Sequence, residues 1–263
     1  MATRDDLLQE LGLLPQWRRR PHVGLGATEP APGPPLAAAA TIAVPAPPGE
    51  CAEPLPRLEV VAEKDARRIR IAALEWPAFA ADVDACTACK LFGTRNRSVP
   101  GVGDTRAEWL FVGEAPGSDE DAKGEPFVGQ AGRLLDNMLA ALGLSRKDRV
   151  YIANVLKCRP PGNRTPEPLE AAACLPYLDR QIALIRPRLI VALGKCAANA
   201  LLQVDATIAS LRGRVHRYQD VPLIVTYHPA YLLRTLADKA KAWEDLLLAR
   251  RTMAQLGADR DAV

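Results

Sequence analysis

Histidine is scarce in this chain: His22, His216 and His228 are the three in 263 residues. Phenylalanine is nearly as rare, at four. No apolar run approaches the ~20 residues a membrane-spanning helix needs, which excludes that class. The opening MATRDDLLQELGLL carries Asp5, Asp6 and Glu10 where a signal peptide is basic or apolar. The expected location is therefore cytoplasmic. A large charge excess is missing too, with 34 Lys and Arg against 31 Asp and Glu, for a net +3. Near-neutrality neither demands nor excludes nucleic acid, because binding follows local patches of charge.

What the chain does hold is a large apolar fraction, 48%, enough for a sizeable core without disulfides. In a reducing compartment the six cysteines are then metal ligands, catalytic groups or buried thiols. Composition divides the chain. Residues 15–56 contain 11 of the 23 prolines and an alanine run at 37–40, which buries too little apolar surface to offset the entropy of ordering. Residues 1–57 are thus expected to be a disordered tail, and 58–263 a folded domain. At the start of the tail, DDLLQELGLLPQWRRR patterns as a short amphipathic helix ended by Pro15. Its leucines and Trp17 suit docking into a groove on a protein partner.

Four apolar runs in the body predict strands: Trp109–Val112, Val150–Val155, Leu189–Leu193 and Leu223–Tyr227. They are near-continuously hydrophobic, as expected where both faces are covered. Helical patterns lie between and after them, at Gly132–Leu142, Glu167–Ile185, Lys195–Leu202 and Trp243–Met253. Thr165 and Pro166 are expected to open the second of these. Strand alternating with helix predicts an α/β fold, a parallel sheet with helices on both sides. Ligands then belong at the carboxyl ends of the strands.

Three strand ends offer chemistry. After the first comes GEAPGSDEDAKGEPFVGQAG, residues 113–132, with five glycines. It has neither a Gly-Lys-Ser/Thr nor a GxGxxG pattern, so a nucleotide cofactor is disfavoured. Phe127 stands in this loop, as core filler or as a stacking plate for a flat ligand. At the end of the second strand is Asn154, whose amide must be paired if buried; it bonds a neighbouring loop or reads the edge of a heterocycle. After the fourth comes TYHPAYLLR, residues 226–234. Pro229 keeps His228 out of the helical region and suits the first turn of a following helix.

Of the cysteines, Cys86 and Cys89 form a CxxC pair, and Cys158 and Cys174 a second pair with fifteen residues between them. Four sulfurs from two separated pairs suit a tetrahedral zinc or an iron–sulfur cluster, and spacing does not choose between them. Cys51 lies in the tail. Cys196 falls in an apolar helix, where a free thiol acts as a small hydrophobe.

GEAPG, EPFVGQAGRLLDNML, NVLKCRPPGNR and HPAYLLR, in that order with the four cysteines, resemble the family 4 uracil-DNA glycosylases over roughly residues 80–253. That resemblance implies an α/β/α three-layer sandwich around a four-stranded parallel sheet. It implies a structural [4Fe–4S] cluster on Cys86, Cys89, Cys158 and Cys174. It implies a DNA repair enzyme acting on uracil-containing DNA, hydrolysing the N-glycosidic bond to release uracil and leave an abasic site, with a monomer expected. Carried over by position, Glu114 with the backbone of Ala115 and Pro116 borders uracil and the attacking water. Phe127 stacks on the base, Asn154 reads its polar edge, and His228 faces the departing uracil. Relatives often have an aspartate after the glutamate, where this chain has Ala115. Leaving-group stabilisation is therefore expected to outweigh base catalysis. Leu232 or Leu233 is expected to wedge into the base stack, and Arg212, Arg214 and Arg217 are candidates for phosphate contacts.

Overall fold

The computed structural model describes residues 65–261; the amphipathic helix, the proline-rich tail and Cys51 lie outside them. The described chain enters in helix α1, residues 65–72, followed by α2, Trp76–Asp84. A two-residue strand β1, Val102–Gly103, leads to β2, Trp109–Gly113. Helices α3, Ser118–Lys123, and α4, Gln130–Ala141, connect β2 to β3, Val150–Asn154. Then come α5, Pro168–Ile185, β4, Leu189–Leu193, and α6, Lys195–Leu202. A short helix α7, Ile208–Leu211, precedes the hairpin of β5, Val215–Tyr218, and β6, Val221–Thr226. One helical turn, α8 at Pro229–Leu232, and the long α9, Lys239–Asp261, close the fold.

The sheet is mixed and six-stranded, in the order β1-β3-β2-β4-β6-β5. Strands β3, β2, β4 and β6 run parallel, and these are the four read from the sequence. The expectation of a four-stranded, purely parallel sheet is corrected by β1 and β5, which add antiparallel edges. Both escape apolar-run reasoning for physical reasons. β1 is two residues long, and β5, VHRY, alternates exposed with half-buried positions as a one-sided edge strand does.

Strands β2, β3 and β4 are buried at every residue, and alternate side chains enter two cores. Leu110, Val112, Ile190 and Ala192 face one side, with Phe79, Tyr177, Leu178, Ala197 and Leu201 of α2, α5 and α6. Trp109, Phe111, Val150 and Ile152 face the other, with Leu135, Leu139, Leu246 and Ala249 of α4 and α9. Helices therefore cover both faces, and the carboxyl ends of the parallel strands open on one edge.

Helix α5 starts two residues later than Thr165 and Pro166 predict. Glu167 is its N-cap and Pro168 its first residue. The Glu167 N–H donates to Glu170 Oε2 at 2.9 Å, and Arg164 grips the same carboxylate with two N–H groups, at 2.9 and 2.6 Å. That pair holds the Glu170 carboxyl below its ordinary range, the Arg164 hydrogen bond being the largest cause.

Candidate active site and cysteine cavity

Asn154 at the end of β3 and the segments that follow β2 and β6 meet at one cavity of about 510 Å³, lined by Glu114, Ala115, Pro116, Phe127, Asn154 and His228 among others. All six residues singled out for substrate or catalysis are thus brought together. Gly113 and Asn154 are register partners at the ends of β2 and β3. Pairing continues past them, from Val155 N to Gly113 O and from Leu156 N to Glu114 O, both at 3.0 Å. Glu114 is placed at the cavity wall by an extension of the ladder rather than by a free loop.

Asn154 is 1% exposed, yet its Oδ1 has no hydrogen-bond partner within the protein among the described residues. A buried acceptor left unmet costs about 1–3 kcal/mol, and the residue that carries it lines the cavity. The close approach depends on Gly113. A Cβ there would meet Asn154 Oδ1 and lie 2.6 Å from Phe127 Cζ.

Phe127 is 6% exposed and has φ of +56°, a left-handed backbone that L-residues other than Asn, Asp or Gly seldom adopt. Three neighbours hold it. Arg146 donates to the carbonyls of Pro126, at 2.9 Å, and Phe127. Glu120 Oε1 accepts from the N–H groups of Val128 and Gly129, at 2.8 and 3.2 Å, while its Oε2 accepts from Gly117 N at 3.0 Å. Gly132 supplies the room, since a Cβ there would collide with the Phe127 carbonyl. So fixed, the Phe127 ring stacks on His228 with centroids 5.4 Å apart and planes at 28°.

His228 caps α8: its Nδ1 accepts from Ala230 N–H at 3.2 Å. A ring nitrogen that accepts bears no proton, so the neutral ring carries its hydrogen on Nε2. Burial, aided by the positive Arg234, pulls the imidazole down to about 4, with Glu120 opposing. At neutral pH the ring is an uncharged Nε2–H donor. Its backbone is crowded by Gly194, at φ +93°, where a Cβ would lie 2.9 Å from His228 Cβ. Burial pushes the Glu114 carboxyl up.

The cavity also takes in Glu120, Asn163, Arg164, Tyr231 and Arg234, which the sequence reading did not single out. For Asn163, Arg164 and Arg234 the signal was available in the polar ends of the CRPPGNR and HPAYLLR stretches. Of the two candidate wedges, Leu232 is 1% exposed and belongs to the core, whereas Leu233 is 39% exposed. Arg212 is not free for phosphate: it pairs with Asp245 at 3.1 Å and Glu244 at 3.0 Å. Arg214 and Arg217 lie exposed on and beside β5.

A second cavity is lined by Cys86, Cys89, Cys158 and Cys174, with Arg95, Lys157 and Tyr177. Three N–H donors address its sulfurs: Arg67 to Cys86 at 3.4 Å, Arg95 to Cys158 at 2.9 Å and the Lys157 backbone to Cys174 at 3.2 Å. Burial pulls the Lys157 ammonium down to about 8, against the pull of Cys174 and Cys158. Cys196 sits apart in α6, where burial pushes its thiol up to about 12. Among the described residues, no helix is long and apolar enough to cross a membrane.

The family described as the Uracil DNA glycosylase superfamily matches residues 100–247. The chain is 50% identical over 160 residues to the Type-4 uracil-DNA glycosylase of Archaeoglobus fulgidus, covering 58% of this chain and 80% of that protein. It is 48% identical over 161 residues to that of Sulfurisphaera tokodaii (58% and 73%) and 45% over 172 residues to that of Pyrobaculum aerophilum (62% and 87%).

Proposed function

Because the chain belongs to the uracil-DNA glycosylase superfamily, we propose that it hydrolyses the N-glycosidic bond of uracil in DNA, releasing uracil and leaving an abasic site. The observation that carries the reading to this cavity is the unmet Asn154 Oδ1, buried between Gly113 and Phe127. Uracil presents N3–H as a donor beside O4 as an acceptor. One amide matches both, Oδ1 accepting from N3–H and Nδ2 donating to O4. Cytosine reverses the pattern and would leave buried polar groups facing like partners, the kind of mismatch that rejects a substrate strongly.

The bond is hidden in a duplex, so the base is extruded, at a cost of a few kcal/mol. Stacking on Phe127 returns about 1–3 kcal/mol. As the C1′–N1 bond breaks, its electron pair stays on uracil N1 and spreads to O2, while positive charge develops on the sugar. His228 donates its Nε2–H to O2 and stabilises the leaving anion without itself transferring charge. Glu114, ionised, faces the cationic sugar and orients the water that adds to C1′. That water loses a proton as the hydroxyl forms, and the uracil anion takes one up. Ala115 and Pro116 border the same water, and no second carboxylate follows Glu114 in the motif. Leu233 is the remaining wedge, and Arg234 at the cavity carries charge suited to DNA phosphates.

The cysteine cavity fits a [4Fe–4S] cluster. Four thiols surround one space, with N–H donors on three of the sulfurs. When bound, the cluster supplies a rigid cross-link between the α2–β1 connection, the exit of β3 and α5. The reading includes action as a monomer in the cytoplasm, a domain boundary near residue 57, and a protein partner for the N-terminal tail.

The test is incubation of the purified protein with single- and double-stranded oligonucleotides bearing one uracil. Free uracil and an alkali-labile site are expected, with turnover beyond one equivalent. Cytosine and thymine controls should stay intact. A stable protein–DNA adduct, or no release of base, refutes the proposal.

A further inference from the structure

Lys157 is 1% exposed and among the largest wholly buried side chains, a rare state for a lysine. It does not reach solvent or DNA. Its Nζ donates to the Asn154 carbonyl at 2.8 Å and to Gln181 Oε1 at 2.5 Å. Its backbone N–H donates to Cys174 Sγ, and its own carbonyl accepts from Val99 N at 2.8 Å. Gln181 in turn donates to Pro100 O at 2.7 Å and to Tyr151 OH at 3.2 Å. One residue therefore joins the base-reading strand, the cysteine cavity, helix α5 and the segment entering β1.

We propose that Lys157 is a positioning residue for uracil recognition, holding the Asn154 main chain at a fixed height against the cysteine site so that its amide meets the base edge. The inference rests on the glycosylase reading above. It goes further by assigning the register between reading amide and cluster to one buried, hydrogen-bonded side chain. Lys157 touches neither base nor sugar. Its loss is expected to weaken capture of the flipped base and leave contacts to the DNA backbone intact.

The experiment uses the cluster-loaded full chain and two probes. One is DNA carrying a non-cleavable 2′-fluoro-deoxyuridine; the other is the same DNA with an abasic-site analogue. Lys157→Met, with its visible cluster absorbance retained, is expected to bind the fluorinated probe about tenfold more weakly and the abasic probe as the wild type does. Equal affinity for both probes, or an equal loss on both, overturns the proposal, since a merely structural role would not discriminate between them. If Lys157→Met loses the cluster or fails to fold, Gln181→Met decides. It lies off the cysteine cavity, and a selective loss of about threefold is expected, while none overturns the proposal. Wild-type protein that releases no uracil refutes the glycosylase reading. If it also fails to prefer the 2′-fluoro-deoxyuridine probe over the abasic one, it overturns both.

Discussion

Replacing Gly113 with alanine adds one methyl group where two recognition side chains converge. The new Cβ would stand 2.6 and 2.8 Å from Phe127 Cζ and Cε2 and closer still to Asn154 Oδ1. Ordinary contact begins at 3.4 Å. Neither neighbour is a flexible end that can swing away. Phe127 is held in a left-handed backbone by Arg146, and Asn154 is anchored through its carbonyl to Lys157. Overpacking of this kind costs about 1–3 kcal/mol. If half to all of it falls on the transition state, kcat/KM drops by roughly 2.3- to 160-fold, at 1.36 kcal/mol per tenfold. The assay is single-turnover release of uracil from a single-stranded oligonucleotide, with thermal unfolding alongside. The methyl sits at a strand end rather than mid-core, so Tm should fall by only a few degrees. A rate within twofold of wild type would refute the argument that the Asn154–Phe127 spacing governs recognition.

His228→Ala should lower the excision rate by about 10²-fold or more with DNA affinity nearly retained, and unchanged excision would remove His228 from the chemistry. The same residue sets a pH dependence. Its pKa is 6.5 when unfolded and about 4 when folded, so the unfolded chain binds more protons in that window. His228 then contributes stability that is present above pH ~6.5 and lost as pH falls towards ~4. Denaturation midpoints at pH 4.5 and 6.5 should differ less in His228→Ala than in wild type. Arg146→Lys keeps the charge but loses the fork on the Pro126 and Phe127 carbonyls; we expect excision to fall about 3- to 30-fold with little change in Tm, checked by single-turnover kinetics. Cys158→Ser should lose bound iron and weaken uracil-dependent DNA binding together; iron loss with binding intact would separate the two sites. Deleting residues 1–56 should leave excision by the purified protein unchanged.

The residues that could be read from sequence were those whose type is informative in itself. An amide at the end of an apolar strand, a histidine before proline and an aromatic among glycines each announced a site, and the topology placed them together. Lys157 stood unremarked within the NVLKCRPPGNR stretch, because lysine is ordinarily solvated and its burial comes from packing of distant segments. Arg146 and Glu120 act on backbone groups of a loop, a role that leaves no pattern in side-chain type. Arg212 was misread for the opposite reason: a cation near the site is a fair candidate for phosphate until a buried carboxylate, here Asp245, is found beneath it.

The two-residue strand β1 has a consequence for handling the protein. Strand β3, which carries the reading amide, is next to last in the sheet, and its outer side is covered among the described residues by Val102 and Gly103, with Asp104 N–H donating to Val150 O at 2.9 Å. Gly103 lies so close that any side chain would run into Val150 O. An unpaired strand as apolar as VYIAN is a template for joining another molecule. The short segment from Pro100 to Gly103 thus acts as a guard against self-association, and a fusion or insertion there would trade solubility before it touched catalysis.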